Sequence, residues 1–173
     1  MHDVERLFNL YHGPLVRYLT RRLGDRDWAE EVAQETFLRA LRQEHIESER
    51  AWLFAVATNL VRDDARKRER QRRHLTLLAE QARGEEETME PEPTTLERAQ
   101  EAALARRAVD ALAERDRLAL LMREEGLSYP EIAEALGLSA GSVGTTLARA
   151  RRRLMDAYEA LTAEPRARNG HAS

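Results

Sequence analysis

One acidic stretch constrains the fold of this chain more than any other feature. Residues 84–95 read GEEETMEPEPTT and hold five Glu, two Pro and a single apolar residue. A segment of this composition cannot bury enough apolar surface to fold, so it predicts a flexible acidic linker. The chain therefore divides into a first domain at 1–75, a linker at 76–97, a second domain at 98–162 and a disordered tail at 163–173.

Helical periodicity fills both predicted domains. Ala, Leu, Arg and Glu dominate the sequence and favour helices, whereas Gly and Pro number only 8 and 5. Apolar residues recur three or four positions apart, for example between residues 4 and 19, which indicates amphipathic helices. Turn-forming residues at 13–14 and 23–25 punctuate the first two helical stripes. The predicted fold is all-α, with two small helical domains joined by the linker.

This chain lacks the residues that several kinds of functional site require. The sequence has no Cys, which removes disulfides, thiolate nucleophiles and Cys-based zinc sites. The five His never fall three or four positions apart, and acid pairs such as Asp63 and Asp64 are adjacent and diverge around a helix. With no Gly-rich phosphate loop or nucleophile motif, we expect no catalytic residue, metal or cofactor.

The ends and apolar runs of the sequence indicate a cytoplasmic protein. The longest unbroken apolar run is seven residues, at 51–57, far short of a membrane span. The N-terminus shows no signal-peptide pattern. We therefore expect a cytoplasmic location and no membrane insertion.

Opposite charges are separated along the chain. The formal net charge is only −3. Residues 61–74 carry seven basic and three acidic side chains, a net +4, whereas residues 75–101 carry two basic and eight acidic ones, a net −6. Residues 139–155 carry four Arg and no acid. Two basic helices flanking an acidic tether are not the even scatter of an ordinary solvated surface.

The second domain contains a helix-turn-helix pattern. Ser128 and Glu131 have the spacing of a capping box, and Gly137 is placed to end the short helix that follows. Leu138 and Ser139 then lead into a second helix. A short helix, a three- to four-residue turn with Gly and another helix are typical of a helix-turn-helix. The alternative is an αα-hairpin whose Arg-rich end is merely solvated.

The second helix of this pattern is the predicted DNA-reading element. We place Ser142, Thr145, Thr146 and Arg149 on one face and Val143, Leu147 and Ala150 on the other. Short hydroxyl side chains can reach base edges, and arginines can hold phosphates. The candidate DNA-binding residues are Ser139, Ser142, Thr145, Thr146, Arg149, Arg151, Arg152 and Arg153.

Two segments of the first domain add to this pattern. Residues 27–41, DWAEEVAQETFLRAL, form an amphipathic helix with a polar face, and residues 51–73 are first apolar and then strongly basic. Together with LSYPEIA at 127–133 and GSV at 141–143, they make the chain similar to the extracytoplasmic-function sigma factors, two-domain bacterial transcription initiation factors. The resemblance covers roughly residues 4–73 and 104–158.

The resemblance implies a role for each segment. The helix bearing Glu30, Glu31, Gln34 and Glu35 would dock on the coiled-coil clamp of the β′ subunit of core RNA polymerase, with further contacts to the β subunit. The loop at 43–50 and the helix after it would engage and help to melt the −10 promoter element. Its candidate residues are Asn59, Arg62, Arg66, Lys67 and Arg70. The second domain would read the −35 element, and the linker would run towards the RNA exit path.

The resemblance also implies partners. They are core RNA polymerase, promoter DNA and an anti-sigma factor, with the free chain a monomer in the nucleoid. The linker suits either an RNA mimic or a simple solubilising tether. Where the family carries Lys and Arg, this chain has Gly144 and Thr146, which predicts weaker phosphate anchoring at the −35 element.

Two other readings fit the same motifs. A stand-alone helix-turn-helix regulator would bind duplex DNA tightly without polymerase, as a dimer on palindromic half-sites. A purely protein-binding helical module would keep its function after substitution of Arg62 and Arg66 or of Arg149 and Arg151.

Overall fold

The computed structural model describes residues 3–76 and 96–168. Across these residues the chain forms seven α-helices and no strand, which confirms the all-α prediction. The first domain contains α1 (Val4–Leu23), α2 (Arg26–Leu41) and α3 (Glu49–Thr76). The second domain contains α4 (Leu96–Asp110), α5 (Glu114–Glu124), α6 (Tyr129–Leu136) and α7 (Ala140–Arg168).

Two predicted boundaries need correction. Thr76 ends α3, and Leu96 and Glu97 begin α4, so these three linker residues are helical. The rest of the predicted linker, 77–95, lies outside the described residues. Helix α7 continues to Arg168, so the prediction of a disordered tail is wrong for residues 163–168, which are rich in the helix formers Ala, Glu and Arg. Residues 169–173 also lie outside the described part.

Helix α1 does not break at Gly13-Pro14, contrary to the turn signal in the sequence. Pro14 lies inside the helix, where it removes one backbone hydrogen bond. Leu7 precedes it and Leu15 and Leu19 follow it, and all three are fully buried. Packing on both sides of the proline therefore holds the helix continuous.

The core of the first domain lies where α1, α2 and α3 pack against one another. Tyr18 and Phe54 are fully buried, with ring centroids 5.0 Å apart. The Tyr18 hydroxyl and the Thr58 hydroxyl share a hydrogen bond of 2.7 Å, which satisfies the phenol in the core. Burial raises the pKa of Tyr18. This core fixes the face that α3 leaves to solvent.

The second domain packs α5, α6 and α7 around a small apolar core. Leu118, Met122, Ile132, Val143 and Leu147 are all fully buried. Helix α4 packs along α7. The three-helix core sets the rotation of α7 about its own axis, and hence which of its side chains reach solvent.

The two domains also pack against each other, which the sequence did not predict. Buried apolar residues of both domains belong to one contiguous cluster. Helix α6 contacts α3, and α5 contacts α1. Ion pairs cross the junction, including Arg17 with Glu125 at 3.2 Å and Arg50 with Glu131 at 2.6 Å.

Residues 3–76 and 96–168 contain neither a membrane-spanning helix nor a metal-binding cluster. None of the helices there combines the length and apolar character that a bilayer crossing requires. The same residues hold no group of three or more His, Asp or Glu side chains placed to bind a metal ion.

Candidate nucleic-acid interface

Helix α2 presents the predicted polar face to solvent. Glu30, Glu31 and Gln34 are exposed, and Glu35 is half-buried. Within the helix, Arg26 pairs with Glu30 at 3.3 Å and Arg39 pairs with Glu35 at 3.2 Å. The opposite side is buried in the core by Ala29, Val32, Ala33, Thr36, Phe37 and Ala40. Burial of this apolar side leaves an acidic surface free to meet a protein partner.

Asn59, Arg62, Arg66, Lys67 and Arg70 are all exposed on α3. Within the described residues, the last three form no ion pair. Arg62 donates to the Asn59 side chain at 3.4 Å and pairs with Glu114 of the second domain at 3.0 Å. The predicted −10 residues thus share one helix, and one of them is engaged by an acid from the other domain.

An aromatic contact that the sequence did not predict fixes the basic half of α3. The Trp28 indole Nε1 donates to an Asp64 carboxylate oxygen at 2.6 Å. The Arg68 guanidinium lies 3.9 Å from the centre of the Trp28 ring. A cation over an indole face is attractive and orients both groups. Trp28 therefore attaches α2 to α3 beside the exposed cations.

The first turn of α3 carries Arg50, whose guanidinium binds the second domain. Arg50 Nε and Nη2 donate to the two Glu131 oxygens at 2.8 and 2.6 Å. Glu131 also accepts the Ser128 backbone N–H at 2.9 Å. These bonds, the Arg50 bonds first, lower the pKa of Glu131 from 4.5 to about 2. The carboxylate that caps α6 is thus also an interdomain anchor.

The helix-turn-helix has the predicted local geometry. Ser128 and Glu131 form the capping box at the start of α6, with both bonds present. Gly137 ends α6 at φ 67°, a left-handed conformation that favours glycine. At the start of α7, the Ser139 carbonyl accepts from the backbone N–H and the hydroxyl of Ser142 at 3.0 and 2.9 Å.

One predicted face of α7 is wrong. Thr146 is only 5% exposed, whereas Thr145 is exposed and Ser142 and Arg149 are half-buried. Thr146 follows Val143 by three positions and precedes Ala150 by four, so it lies on the buried stripe of the helix. Arg151, Arg152, Arg153 and Ser139 are exposed. The open surface of α7 is therefore one residue narrower than the sequence suggested.

A buried carboxylate under α7 escaped sequence reasoning. Asp116 of α5 is 1% exposed. It accepts from Arg149 Nη2 at 2.7 Å and Nε at 3.3 Å, and from Arg153 Nη1 at 3.2 Å. The Arg149 bond, followed by the charges of both arginines, lowers the pKa of Asp116. The signal in the sequence was an acid three positions from the apolar Ala119, together with a segment at 139–155 that holds four Arg and no acid.

Arg115 is a second residue that sequence reasoning missed. It is exposed at the first turn of α5. It lines an open groove together with Leu138, Ser139, Gly141, Ser142, Thr145, Thr146 and Arg149. The groove is thus formed by α5 as well as by the turn and start of α7, and its wall carries a cation that lies outside the helix-turn-helix itself.

Known protein families match both halves of the chain. A model described as Sigma-70 region 2 matches residues 7–71, and one described as Sigma-70 region 4 matches residues 102–154. These ranges contain the exposed faces of α2 and α3 and the helix-turn-helix, respectively.

Individual relatives extend over most of the chain. The ferric citrate uptake sigma factor FecI of Escherichia coli K12 is 33% identical over 150 residues, covering 84% of this chain and 85% of FecI. The ECF RNA polymerase sigma factor SigL of Mycobacterium tuberculosis is 33% identical over 151 residues, covering 82% of this chain and 80% of SigL.

A solved structure shares the fold. The sigma factor RpoE in its complex with the anti-sigma factor NepR from Bartonella quintana superposes with a TM-score of 0.66 at 22% identity. The superposition covers 92% of this chain and 98% of RpoE. With both sigma regions in series and sequence similarity over more than four fifths of its length, the chain belongs to the extracytoplasmic-function sigma factors, which direct transcription initiation by RNA polymerase.

Proposed function

We propose that three exposed helical faces divide the work of initiation between polymerase and promoter. The acidic face of α2 binds core RNA polymerase, the basic half of α3 engages the −10 element, and the start of α7 reads the −35 element. The observation that carries this assignment is the separation of charge in space. Acids outnumber bases on the solvent side of α2, whereas exposed cations outnumber exposed acids on α3 and α7.

The polymerase contact is assigned to Glu30, Glu31, Gln34 and Glu35. Their side chains stand on the side of α2 opposite its buried apolar residues, so a partner can reach them without disturbing the core. The partner surfaces are the β′ clamp coiled coil and, for the chain as a whole, the β subunit. Such a contact would be electrostatic at its rim and weaken with salt.

The −10 contact is assigned to Asn59, Arg62, Arg66, Lys67 and Arg70. Their charges suit the phosphates of a strand being separated, and an amide such as Asn59 can hydrogen-bond to an unpaired base. Holding an extruded base has to offset an unstacking cost of a few kcal/mol. Arg66, Lys67 and Arg70, which form no ion pair within the described part of the chain, supply part of that energy.

The −35 contact is assigned to Ser139, Ser142, Thr145, Arg149, Arg151, Arg152 and Arg153. Thr146 borders the groove but has little free surface. Helices of this motif place their N-terminal residues against base edges and their flanks against phosphates. Ser142 and Thr145 therefore face bases, and the arginines hold the backbone.

The chain is proposed to act in the cytoplasm, at the nucleoid, as a monomer that an anti-sigma factor restrains. Support for such a partner comes from the Bartonella quintana sigma factor, which was solved in complex with an anti-sigma factor. The chain itself performs no covalent chemistry and needs no cofactor. Polymerisation belongs to its partner enzyme.

Run-off transcription tests this function directly. The purified chain is added to core RNA polymerase with a pool of genomic DNA fragments, and the transcripts are sequenced. We expect transcripts with common sequences about 10 and 35 base pairs before their start sites. Tight, polymerase-independent binding to palindromic duplexes, with no specific transcript, would favour a stand-alone regulator instead.

Paired variants separate the faces. Glu31→Ala with Gln34→Ala should weaken core binding without changing the melting temperature, because both side chains are exposed. Phe37→Ala should instead destabilise the first domain by about 3–5 kcal/mol, since Phe37 is 5% exposed.

Arg66→Ala with Arg70→Ala should reduce promoter opening. The matched pair Arg98→Ala with Arg107→Ala, which removes the same charge from exposed positions of α4, should not.

A further inference from the structure

The groove beside α7 lies above an acid of a different helix. Asp116 approaches α7 from the first turn of α5 and is 1% exposed, while Arg149 and Arg153 remain 43% and 55% exposed. The carboxylate therefore contacts the two arginines from the protein side, and solvent or a ligand can still contact them from the other.

Both arginines keep N–H donors that Asp116 does not use and that a ligand could accept from. A guanidinium has five N–H donors. Arg149 uses two of them on Asp116, and Arg153 uses one. The two bonds from Arg149 engage both carboxylate oxygens, which fixes the plane of its guanidinium. The remaining donors project from a side chain whose orientation is already set.

Burial of this carboxylate is hard to explain by stability alone. Removing a carboxylate from water is costly, and a well-packed apolar residue often serves stability equally well. What the buried carboxylate does provide is a fixed orientation for two arginines on a helix that faces DNA. Long side chains that are free lose rotamer entropy when they are immobilised at an interface, which weakens binding.

We propose that Asp116 is a positioning residue for −35 DNA, which holds Arg149 and Arg153 in the orientation that phosphates require. This inference rests on the proposed −35 role of α7 and adds a residue outside the helix-turn-helix to it. The carboxylate does not touch DNA. It acts through the two arginines, whose ordering it completes before the promoter arrives.

An opposite role for the same residue makes a distinct prediction. If Asp116 competed with phosphates for the two arginines, its removal would strengthen DNA binding. If it positions them, its removal weakens binding. The sign of the change therefore decides between the two roles.

The experiment uses the full chain assembled with core polymerase. The probe is a duplex promoter fragment found by the run-off assay, in one version with its −35 element intact and in another with that element scrambled. Affinity is measured across a salt series for wild type, Asp116→Asn and the control Asp110→Asn. The control removes the same charge from an exposed residue that forms no ion pair within the described part of the chain.

We expect Asp116→Asn to bind the intact fragment about five- to tenfold more weakly, which is the lower end of the ordering cost of two long side chains. Its affinity for core polymerase should stay at the wild-type level. Its affinity for the scrambled fragment should fall in similar proportion, because both fragments carry the same phosphates. In a background of Arg149→Gln with Arg153→Gln, the same change should have no further effect. Tighter binding, an effect equal to that of Asp110→Asn, or an undiminished effect in that background would overturn the proposal.

Arg149→Lys keeps the test valid if Asp116→Asn does not fold. Lysine retains the charge on a half-exposed position but lacks the planar fork that meets both carboxylate oxygens. We expect weaker binding to the intact fragment by a chain that still folds, and wild-type binding would contradict the proposal. If wild type itself does not distinguish intact from scrambled fragments, the −35 assignment of α7 fails. If only the Asp116 variants behave as wild type, the assignment stands and the positioning role fails.

Discussion

The two basic helices of this protein are neutralised in different ways. On α3, Arg62 is held by Glu114, which belongs to the other domain, and both side chains are more than 40% exposed. On α7, Arg149 and Arg153 are held by Asp116, which belongs to their own domain and is 1% exposed. A pair across a domain junction is lost when the domains separate, whereas a pair within one core persists. The interdomain pair can therefore regulate the access of DNA to Arg62. The pair within the second domain can only fix the orientation of its arginines.

The largest effect should come from breaking the internal pair. Asp116→Ala leaves two arginines without their buried partner and opens space under α7. Loss of one member of a buried pair costs about 3–5 kcal/mol, and we expect about 2–3 kcal/mol here because both arginines are partly solvated. Urea unfolding followed by circular dichroism measures this loss. A change under 1 kcal/mol would mean that the pair is no stronger than an exposed one.

Acid titration probes the strongest interdomain pair. The pKa of Glu131 is lowered from 4.5 to about 2, mainly by the Arg50 hydrogen bonds. A lowered pKa means that the folded state binds the proton less well than the unfolded chain does. The stabilisation is therefore complete above about pH 4.5 and is lost as the pH falls towards 2.

The size of this effect follows from the same shift. It corresponds to at most about 3 kcal/mol, of which we expect about 2 because the Glu131 and Arg50 side chains are 22% and 31% exposed. Measuring the free energy of unfolding of wild type against Glu131→Gln from pH 7 to pH 3 tests it. The difference in free energy of unfolding between the two proteins should narrow as the pH falls. A constant difference would mean that the contribution of Glu131 does not depend on its ionisation.

These contacts show where reading the sequence succeeds and where it stops. The capping box at Ser128 and Glu131 and the turn at Gly137 were predictable, because each depends on residues within four positions. The burial of Thr146 was also within reach, since it lies three residues after Val143 on the same helix face. By its hydroxyl, Thr146 groups with Ser142 and Thr145, but its angle around the helix axis places it with the buried Val143.

Contacts between distant residues were not predictable in the same way. Asp116 meets Arg149 across 33 positions, and Arg50 meets Glu131 across 81. A chain with 28 basic and 31 acidic residues offers many pairings of that kind. Which of them form depends on how helices pack, and spacing along the sequence carries no record of it. The same reason explains why the contact between the two domains was missed.

A smaller effect is expected at the groove wall. Arg115 lines the groove with Ser142 and Thr145, so it is placed to add one phosphate contact to the −35 surface. Arg115→Ala should weaken promoter binding by holoenzyme uniformly across −35 sequences. The slope of log affinity against log salt should fall by about 1. An unchanged slope would place Arg115 outside the footprint, and a sequence-dependent loss would assign it a base contact instead.

The smallest effect on stability, and the one of opposite sign on DNA binding, is expected at Glu114. The Arg62 hydrogen bond lowers the pKa of Glu114, but exposed pairs contribute under about 1 kcal/mol, so Glu114→Gln should barely change unfolding. It should release Arg62 and Arg22 from a shared anion that lies 3.0 Å from each. Free chain carrying Glu114→Gln should therefore bind a fluorescent single strand of the −10 element more tightly than wild type.

Glu124→Gln is the matched control for that measurement. Glu124 is 68% exposed, and its one ion pair within residues 3–76 and 96–168 is with Arg21, at 3.8 Å. It removes the same charge from the same helix without touching Arg62. If both variants raise the affinity equally, net charge explains the gain and the Arg62–Glu114 pair does not restrain α3. Suppose instead that Glu114→Gln alone raises the affinity for the −10 strand, while Asp116→Asn weakens −35 binding. The acids then have opposite effects on DNA binding: Glu114 keeps Arg62 from DNA, whereas Asp116 orients Arg149 and Arg153 towards it.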